Sequence, residues 1–245
     1  MSIDVLIPSK NPNKNLIKTI KSINDIEEIK KIIIIDDSHN LNDDIYKKIK
    51  NNFKKIFIID NNYSKGISGA LNTGIKFSSS KFISRIDSGD ICLDKGRFRK
   101  ILKLFEQRID VDLICSGLKN ERNKKIKPRS IYVNKILSPF SRVPHPTWVL
   151  RRNSIKKKYR FECTRFEDYA FLIDNHMKIL ILDQFDVLYD TSDNLSRMIE
   201  FKSAYLKSIF FIKQSNNSFR SLLFGLSYLF LRTVRLIVST KKILI

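Results

Sequence analysis

Residues 32–38 read Ile-Ile-Ile-Ile-Asp-Asp-Ser, and this stretch decides the fold class. Four consecutive β-branched apolar residues are typical of a strand buried on both faces, as strands are inside a parallel sheet. Similar short apolar runs occur at residues 3–7, 56–59 and 82–86. Segments with helical periodicity separate these runs, at residues 16–23, 45–53 and 70–77. The alternation predicts an α/β fold with a mostly parallel sheet flanked by helices.

Polar residues follow each of the four predicted strands. They are Pro8-Ser9-Lys10-Asn11, Asp36-Asp37-Ser38, Asp60-Asn61-Asn62 and Asp87-Ser88-Gly89-Asp90. Ligands of open parallel sheets bind just beyond the carboxyl ends of the strands, so these residues are candidate ligand contacts. The sequence has no GxGxxG after the first strand and no GxxxxGK[ST], which argues against a dinucleotide-binding dehydrogenase and a P-loop NTPase. Carboxylates at this edge fit a hard cation and ribose hydroxyls.

The second half of the sequence is less regular. We predict a basic loop at residues 119–129, a helix at residues 166–175 that opens with Glu167 and Asp168, and a strand at residues 179–182. A His-Pro-Thr-Trp run occupies residues 145–148.

The charge of the chain is strongly positive and unevenly distributed. There are 46 Lys and Arg residues against 25 Asp and Glu, which gives a formal net charge of +21. Two segments, residues 119–160 and 201–245, supply the whole excess. A nucleic-acid-binding module is one hypothesis for such a charge. Acidic strand ends would repel phosphates, however, and no RNP, helix-turn-helix or zinc-finger signature is present, so we expect no nucleic-acid partner.

The C-terminal segment differs in character from the rest of the chain. Residues 222–231 carry no charge, and Arg232 and Arg235 then interrupt the apolar run before it reaches the roughly 20 residues of a spanning helix. On a helical wheel, one side carries Ser221, Tyr228, Arg232, Arg235 and Ser239. The rest is apolar, and this pattern predicts an amphipathic helical tail lying in an anionic membrane surface. Three scattered cysteines without a CxxC spacing fit a cytoplasmic protein.

Five of these segments, taken in order, resemble the inverting glycosyltransferases of family 2, which have the GT-A fold. The segments are residues 3–11, 32–38, 66–75, 82–91 and 166–169. The resemblance implies a GT-A catalytic domain over residues 1–196, with a nucleotide-sugar-binding half at 1–95 and an acceptor-binding half at 96–196. Residues 197–245 would form the membrane-associating tail. Two positions depart from the family pattern, because Gly89 replaces a metal-site Asp and Leu71 replaces a frequent Arg.

The resemblance also implies roles for individual residues. Asp168 would be the general base, and Asp87 and Asp90 would hold Mg²⁺ or Mn²⁺, which neutralises the leaving diphosphate. The implied donor-binding residues are Pro8, Ser9, Asn11, Asp36, Asp37, Gly66 and Asp87. The implied acceptor-side residues are His145, Trp148 and Glu167. Structural alternatives stay open at this point, among them a turn or helix cap for the Asp pairs, a helix start for Glu167 and Asp168, a structural His145 and a core Trp148.

The function that these features predict is transfer of a sugar from a nucleotide sugar, taken as a UDP-sugar, to a lipid-linked glycan acceptor. Such a reaction suits bacterial O-antigen or capsule assembly by a cytoplasmic enzyme peripheral to the inner face of the cell membrane. The alternative in another class is an inactive, membrane-bound scaffold with the same fold, suggested by Gly89.

Overall fold

A computed structural model describes residues 1–163, 165–191, 197–215 and 218–241 of the chain. The strands are β1 (Ile3–Ser9), β2 (Ile29–Asp36), β3 (Ile56–Asp60), β4 (Phe82–Arg85), β5 (Ile91–Cys92), β6 (Leu113–Asn120), β7 (Lys125–Ile126), β8 (Tyr132–Val133), β9 (Ile136–Leu137), β10 (Val149–Arg151) and β11 (Ile179–Tyr189). The helices are α1 (Lys14–Ile23), α2 (Asp44–Asn52), α3 (Ile67–Phe77), α4 (Arg97–Gln107), α5 (Glu167–Asp174), α6 (Arg197–Gln214) and α7 (Phe219–Lys241).

One nine-stranded mixed sheet organises the molecule. Its strand order is β3-β2-β1-β4-β10-β6-β11-β5, and β7 pairs with β6 beside this path. The strands β1 to β4 are parallel to one another, and β6 is parallel to β11. The short strand β10 lies antiparallel between β4 and β6 and joins the two parallel groups. The predicted α/β fold with flanking helices is confirmed.

The apolar runs of β1, β2 and β4 are buried on both faces, as their composition predicts, whereas the edge strand β3 is only partly buried. Ile32 and Ile34 of β2 belong to one core cluster, which includes residues of α1, α2 and α4. Ile33 and Ile35 belong to the other cluster, which includes residues of α3 and α5. Successive strand residues point to opposite faces of a sheet, so one run of four isoleucines supplies both cores.

The second half departs from the sequence-based expectations. Residues 119–129 are not a simple loop, because β6 extends to Asn120 and pairs with β7 through Lys119 and Lys125. Strand β11 continues beyond residue 182 to Tyr189, and α4 has no counterpart among the predicted helices. The predicted helix at residues 166–175 is confirmed as α5.

The helices α6 and α7 pack tightly against each other. The Ser208 hydroxyl donates a hydrogen bond to the Gly225 carbonyl oxygen at 3.0 Å. A Cβ atom at Gly225 would lie 2.7 Å from Cδ1 of Ile212, so a larger residue here would require the Ile212 side chain to shift. Phe210 of α6 packs edge-to-face on Phe166, which joins the helix pair to the rest of the protein.

The orientation of α7 places its apolar side outward. Ser221 is fully buried, and the Tyr228 ring packs edge-to-face on Phe140. Leu226 and Phe230, on the other side, are 51% and 66% exposed. No helix in the described ranges is long and apolar enough to span a bilayer. The side chain of Ser239 and the expected domain boundary at residue 196 lie outside the described residues.

Candidate functional site

A cleft of about 460 Å³ opens beyond the carboxyl ends of the central strands, and we call it the strand-end cleft. It is lined by Pro8, Ser9, Lys10, Asn13, Asn15, Asp37, Gly66, Ile67, Ala70, Asp87, Ser88, Asp90, Tyr189 and Asp190. Five of the residues expected to contact a donor are in this lining, and Asn11, which is exposed, is not. The parallel strands therefore bring together residues that are separated by up to 182 positions in the chain.

Asp37 shapes one wall of the strand-end cleft. Its carboxylate accepts hydrogen bonds from the Gly66 N–H, at 3.0 and 2.9 Å, and from the Asn61 side-chain amide at 2.7 Å. Gly66 has a φ of 108°, which favours glycine, and it caps the start of α3. These bonds hold the Asp37 carboxylate at the cleft wall.

Asp36, the neighbouring carboxylate, has a different position. It is fully buried and accepts hydrogen bonds from the Tyr46 hydroxyl at 2.9 Å and from the backbone N–H of Ser38 and Asn40 at 3.0 and 2.7 Å. It is not part of the cleft lining, because consecutive residues at a strand end point in opposite directions. The turn interpretation therefore describes Asp36, and of the two carboxylates only Asp37 lines the cleft.

Four charged side chains form a closed network at the end of β4. The Arg85 guanidinium donates to Asp87 through Nε and Nη2, at 2.8 and 2.9 Å, and to Asp168 through Nη1 at 2.6 Å. The His145 ring joins the same two carboxylates, with Nε2 3.0 Å from Asp87 Oδ2 and Nδ1 2.8 Å from Asp168 Oδ2. Two cationic side chains thus link Asp87 to Asp168, and the network as a whole is close to neutral when His145 is protonated.

The network fixes the protonation of its members. Burial and Arg85 would lower the pKa of His145, but Asp168 and Asp87 raise it to about 9, so the ring is a cation at neutral pH. Burial would raise the pKa of Asp168, but the charges of Arg85 and His145 outweigh it and hold that pKa below its ordinary value. The same two cations hold the pKa of Asp87 far below its ordinary range against the effect of burial. Both carboxylates are therefore ionised.

Asp90 and Asp190 lie together beside Gly89. The Asp190 N–H donates to Asp90 Oδ1 at 2.9 Å, whereas the buried Asp90 Oδ2 has no hydrogen-bond partner. Burial and the Asp87 charge raise the pKa of Asp90 to about 7. Gly89 has a φ of 107°, and a Cβ at this position would lie 2.3 Å from Asp190 Oδ2. The carboxylate of Asp190 thus occupies the space that a side chain at residue 89 would need.

Sequence reasoning missed Asp190, although a signal was present. Asp190 directly follows β11, just as Asp37 directly follows β2. Residues 179–182 alone were predicted as a strand, so the polar residue at its true end was overlooked.

The cleft carboxylates suit a divalent cation that is shared with a ligand. Among residues 1–163, 165–191, 197–215 and 218–241, no three His, Cys, Asp or Glu side chains are grouped to hold an ion by themselves. Mg²⁺ is usually held by one or two carboxylates together with substrate phosphates. The unpartnered buried oxygen of Asp90 and the Asp190 carboxylate in the residue-89 position fit this kind of site.

A second cavity, of about 250 Å³, lies on the other side of the charged network, and we call it the helix-side cavity. Asp168 lines it, together with three cationic residues, Arg165, Lys207 and Arg232. Glu167 is buried beside Asp168, and burial and the Asp168 charge raise its pKa. Glu167 is not among the residues that line either cavity.

Trp148 is a core residue. Its side chain is 1% exposed, its Nε1 donates to the Val143 carbonyl oxygen at 3.2 Å, and its ring stacks on Phe171. The expectation that Trp148 stacks on an acceptor sugar is wrong, because no face of the ring is open to a ligand.

Several known proteins are similar to this chain in sequence. The model of Glycosyl transferase family 2 matches residues 4–173 of the chain. UDP-Glc:alpha-D-GlcNAc-diphosphoundecaprenol beta-1,3-glucosyltransferase WfgD of Escherichia coli is 24% identical over 185 residues, which cover 73% of this chain and 72% of that protein. The minor teichoic acid biosynthesis protein GgaB of Bacillus subtilis (strain 168) is 24% identical over 172 residues, which cover 64% of this chain and 19% of that protein.

Two solved structures share the fold. S. aureus TarS 1–349 in complex with UDP-GlcNAc has a TM-score of 0.68 at 17% identity, and the match covers 93% of this chain and 72% of that one. The mannosyltransferase PcManGT from Pyrobaculum calidifontis, in complex with GDP-Man and Mn²⁺, has a TM-score of 0.67 at 12% identity, with 93% of this chain and 69% of that one covered.

Proposed function

The chain belongs to glycosyl transferase family 2, and from this premise we propose that it transfers a sugar from a UDP-sugar to a lipid-linked glycan acceptor with inversion at the anomeric carbon. The membership makes it a glycosyltransferase. The donor class and the acceptor class follow the names of the two E. coli glucosyltransferases, which act from UDP-Glc on a GlcNAc-diphosphoundecaprenol.

The observation that carries the proposal is the position of the charged network between two cavities. Asp87 lines the strand-end cleft, Asp168 lines the helix-side cavity, and Arg85 and His145 hydrogen-bond to both. A donor in the strand-end cleft and an acceptor in the helix-side cavity would meet across this network. An ionised carboxylate on the acceptor side is the group that an inverting transfer needs.

The proposed chemistry is a single displacement. The acceptor hydroxyl gives its proton to Asp168 while its oxygen attacks the anomeric carbon, and the bond from that carbon to the diphosphate breaks. The hydroxyl becomes acidic as the new bond forms, so a carboxylate of lowered pKa is sufficient as the base. Arg85 and His145 hold the Asp168 carboxylate in position through its two oxygens.

A divalent cation, Mg²⁺ or Mn²⁺, would neutralise the charge that develops on the leaving diphosphate. We propose that Asp90 and Asp190 hold it, with Asp87 nearby. Both Asp87 oxygens already accept hydrogen bonds from Arg85 or His145, whereas Asp90 keeps an unpartnered oxygen. The structure of PcManGT, which shares this fold, contains Mn²⁺ with its donor, and this supports the use of a divalent cation.

Donor recognition is proposed to use the remaining predicted residues of the strand-end cleft. Asp37 would accept hydrogen bonds from the nucleoside. The nucleoside would also lie against Pro8, Ser9 and Gly66. His145 and Glu167, expected on the acceptor side, lie next to Asp168, and His145 acts by positioning it.

The outward apolar side of α7 supports association with a membrane surface. Its exposed large side chains are Phe219, Leu222, Leu223, Leu226, Phe230, Leu231 and Val234. A contiguous row of this kind is typical of a helix lying in a lipid interface. We therefore place the protein at the inner face of the cell membrane, in synthesis of a bacterial surface polysaccharide such as O-antigen or capsule, with residues 197–245 as the membrane-associating part.

The inactive-scaffold alternative rested on the missing carboxylate at residue 89. The Asp190 carboxylate lies in that space, so the argument for a dead site no longer has its original support.

A transfer assay tests the proposal. The full chain is incubated with a panel of UDP-sugars and a GlcNAc-diphosphate acceptor on a prenyl chain, and sugar addition is followed by mass spectrometry. Asp168→Asn is expected to lower transfer by about 10²–10⁴-fold, because the base is lost, while UDP binding is retained. Asp183→Asn, an exposed carboxylate of β11, is the matched control and is expected to be fully active. Full activity of the Asp168→Asn variant would remove Asp168 as the base.

A further inference from the structure

The helix-side cavity contains more positive charge than its protein environment neutralises. Arg165, Lys207 and Arg232 line it, and its acidic lining residue is Asp168. The Asp168 charge is already balanced, since both of its oxygens are bound by Arg85 and His145. Among the described residues, Arg165 and Lys207 have no carboxylate in an ion pair, and Arg232 has one long ion pair with Glu200, so the cavity keeps positive charge that its lining does not fully balance.

Lys207 is the central residue of this cationic group. Its Nζ lies 4.2 Å from the ring centroid of Tyr169 and 5.4 Å from that of Tyr228, so two aromatic faces hold it. Within the described part of the chain, no carboxylate forms an ion pair with Lys207. Burial and the Arg232 charge lower its pKa to about 7, which an anion in the cavity would reverse.

Arg232 is also incompletely satisfied. Its Nε is buried without a hydrogen-bond partner, and its ion pair with Glu200 is long, at 3.9 Å between Nη2 and Oε2. Arg232 and Tyr228 come from α7 and Lys207 comes from α6, so the two C-terminal helices build this side of the cavity. A buried, unpaired guanidinium donor costs free energy unless a ligand supplies the acceptor.

We propose that Lys207 and Arg232, with Arg165 at the rim, bind the diphosphate of a lipid-diphosphate-linked sugar acceptor. This inference rests on the proposed function and deepens it, because it assigns the residues that recognise the acceptor's phosphates. Phosphate oxygens are the anions that guanidinium and ammonium groups bind best. The sugar next to the diphosphate would then reach Asp168 in the same cavity, and the lipid chain would leave toward the apolar outer side of α7.

Acceptor kinetics with the full chain test the assignment. The two acceptors compared are a GlcNAc-diphosphate on a short prenyl chain and a phosphate-free alkyl glycoside of GlcNAc. Lys207→Met is expected to raise the KM for the diphosphate acceptor by about tenfold or more and to leave the KM for the alkyl glycoside and for the UDP-sugar unchanged. Lys213→Met, an exposed lysine on the same helix, is the matched control. An equal change for both acceptors, or no change for either, overturns the proposal.

A binding measurement separates this inference from the proposed function, because it needs no transfer. A short-chain prenyl diphosphate is titrated calorimetrically into the full chain, whose strand-end cleft is first saturated with UDP. Lys207→Met and Arg232→Gln are each expected to weaken binding by about tenfold. Vesicles of phosphatidylglycerol form the second arm. Variants that lose vesicle binding but keep prenyl diphosphate binding would assign the cations to phospholipid headgroups and overturn the proposal.

Discussion

The strand-end cleft and the helix-side cavity lie on opposite sides of one charged network and have opposite charge. The strand-end cleft is lined by Asp37, Asp87, Asp90 and Asp190, whereas the helix-side cavity presents three cationic residues. A diphosphate could enter either one, but by different means. In the cleft, carboxylates would repel the phosphates unless a divalent cation came between them. In the cavity, fixed cations would bind phosphates directly. The proposed function thus implies a metal-dependent subsite in the cleft and a metal-independent one in the cavity.

Removal of divalent metal is expected to give the largest difference between the two cavities. Chelation should lower sugar transfer by about 10²-fold or more, since a Lewis acid contributes several kcal/mol to departure of the diphosphate. Binding of a short-chain prenyl diphosphate to the helix-side cavity should be unchanged by the chelator. Calorimetry with and without EDTA measures the binding, and the mass-spectrometric transfer assay measures the loss of transfer and its recovery when Mg²⁺ is added back. Loss of prenyl diphosphate binding on chelation would mean that the two cavities do not differ as described.

Replacement of Asp190 tests how the cleft holds its cation. Asp190→Asn is expected to weaken Mn²⁺ affinity in the presence of UDP by about tenfold, because a carboxylate that lies in the residue-89 space is lost. The free Mn²⁺ signal in electron paramagnetic resonance gives the affinity without any transfer assay. Asp183→Asn, on the same strand, should bind Mn²⁺ as the wild type does. Equal Mn²⁺ affinity for the Asp190→Asn variant and the wild type would exclude Asp190 as a holder of the cation.

The parts of the fold that the sequence predicted are those with local periodic signals. The runs of apolar residues in β1 and β2 occur because both faces of these strands are buried, and the helices α1 to α3 follow β1 to β3 in order. By contrast, β10 has three residues and joins the sheet between β4 and β6, which are distant in the sequence. Its pairing depends on long-range contacts, and a strand of three residues is too short to show a periodic pattern in the sequence.

The site was predictable in its residue types but not in its arrangement. Asp37, Asp87 and Asp90 line the cleft, as expected. Asp36 directly precedes Asp37 in the chain, but its carboxylate points into the core and accepts a hydrogen bond from Tyr46. Asp190 is 101 positions from Gly89 in the chain, and only the folded strand β11 brings it there. Lys207 and Arg232 lie in the segment predicted as a membrane tail, and only the packing of α7, with its polar side inward, shows that they line a cavity.

The outward side of α7 gives the smallest expected effect. Leu226→Glu or Phe230→Glu should weaken binding to phosphatidylglycerol vesicles by about tenfold, since each variant loses the burial of one large apolar side chain in lipid. Ile109→Glu is the control, because Ile109 is 85% exposed but follows α4. Vesicle sedimentation measures the effect. Unchanged sedimentation of the α7 variants would show that this side does not contact lipid.

The stereochemistry of the product shows whether the transfer is a single displacement. If Asp168 deprotonates an acceptor in the helix-side cavity while the donor lies across the network in the strand-end cleft, attack occurs from the face opposite the diphosphate. The anomeric proton of the transferred sugar can be read by NMR in the product made from an α-linked UDP-sugar. The account predicts a β linkage. An α linkage would contradict both the single displacement and the roles assigned to the two cavities.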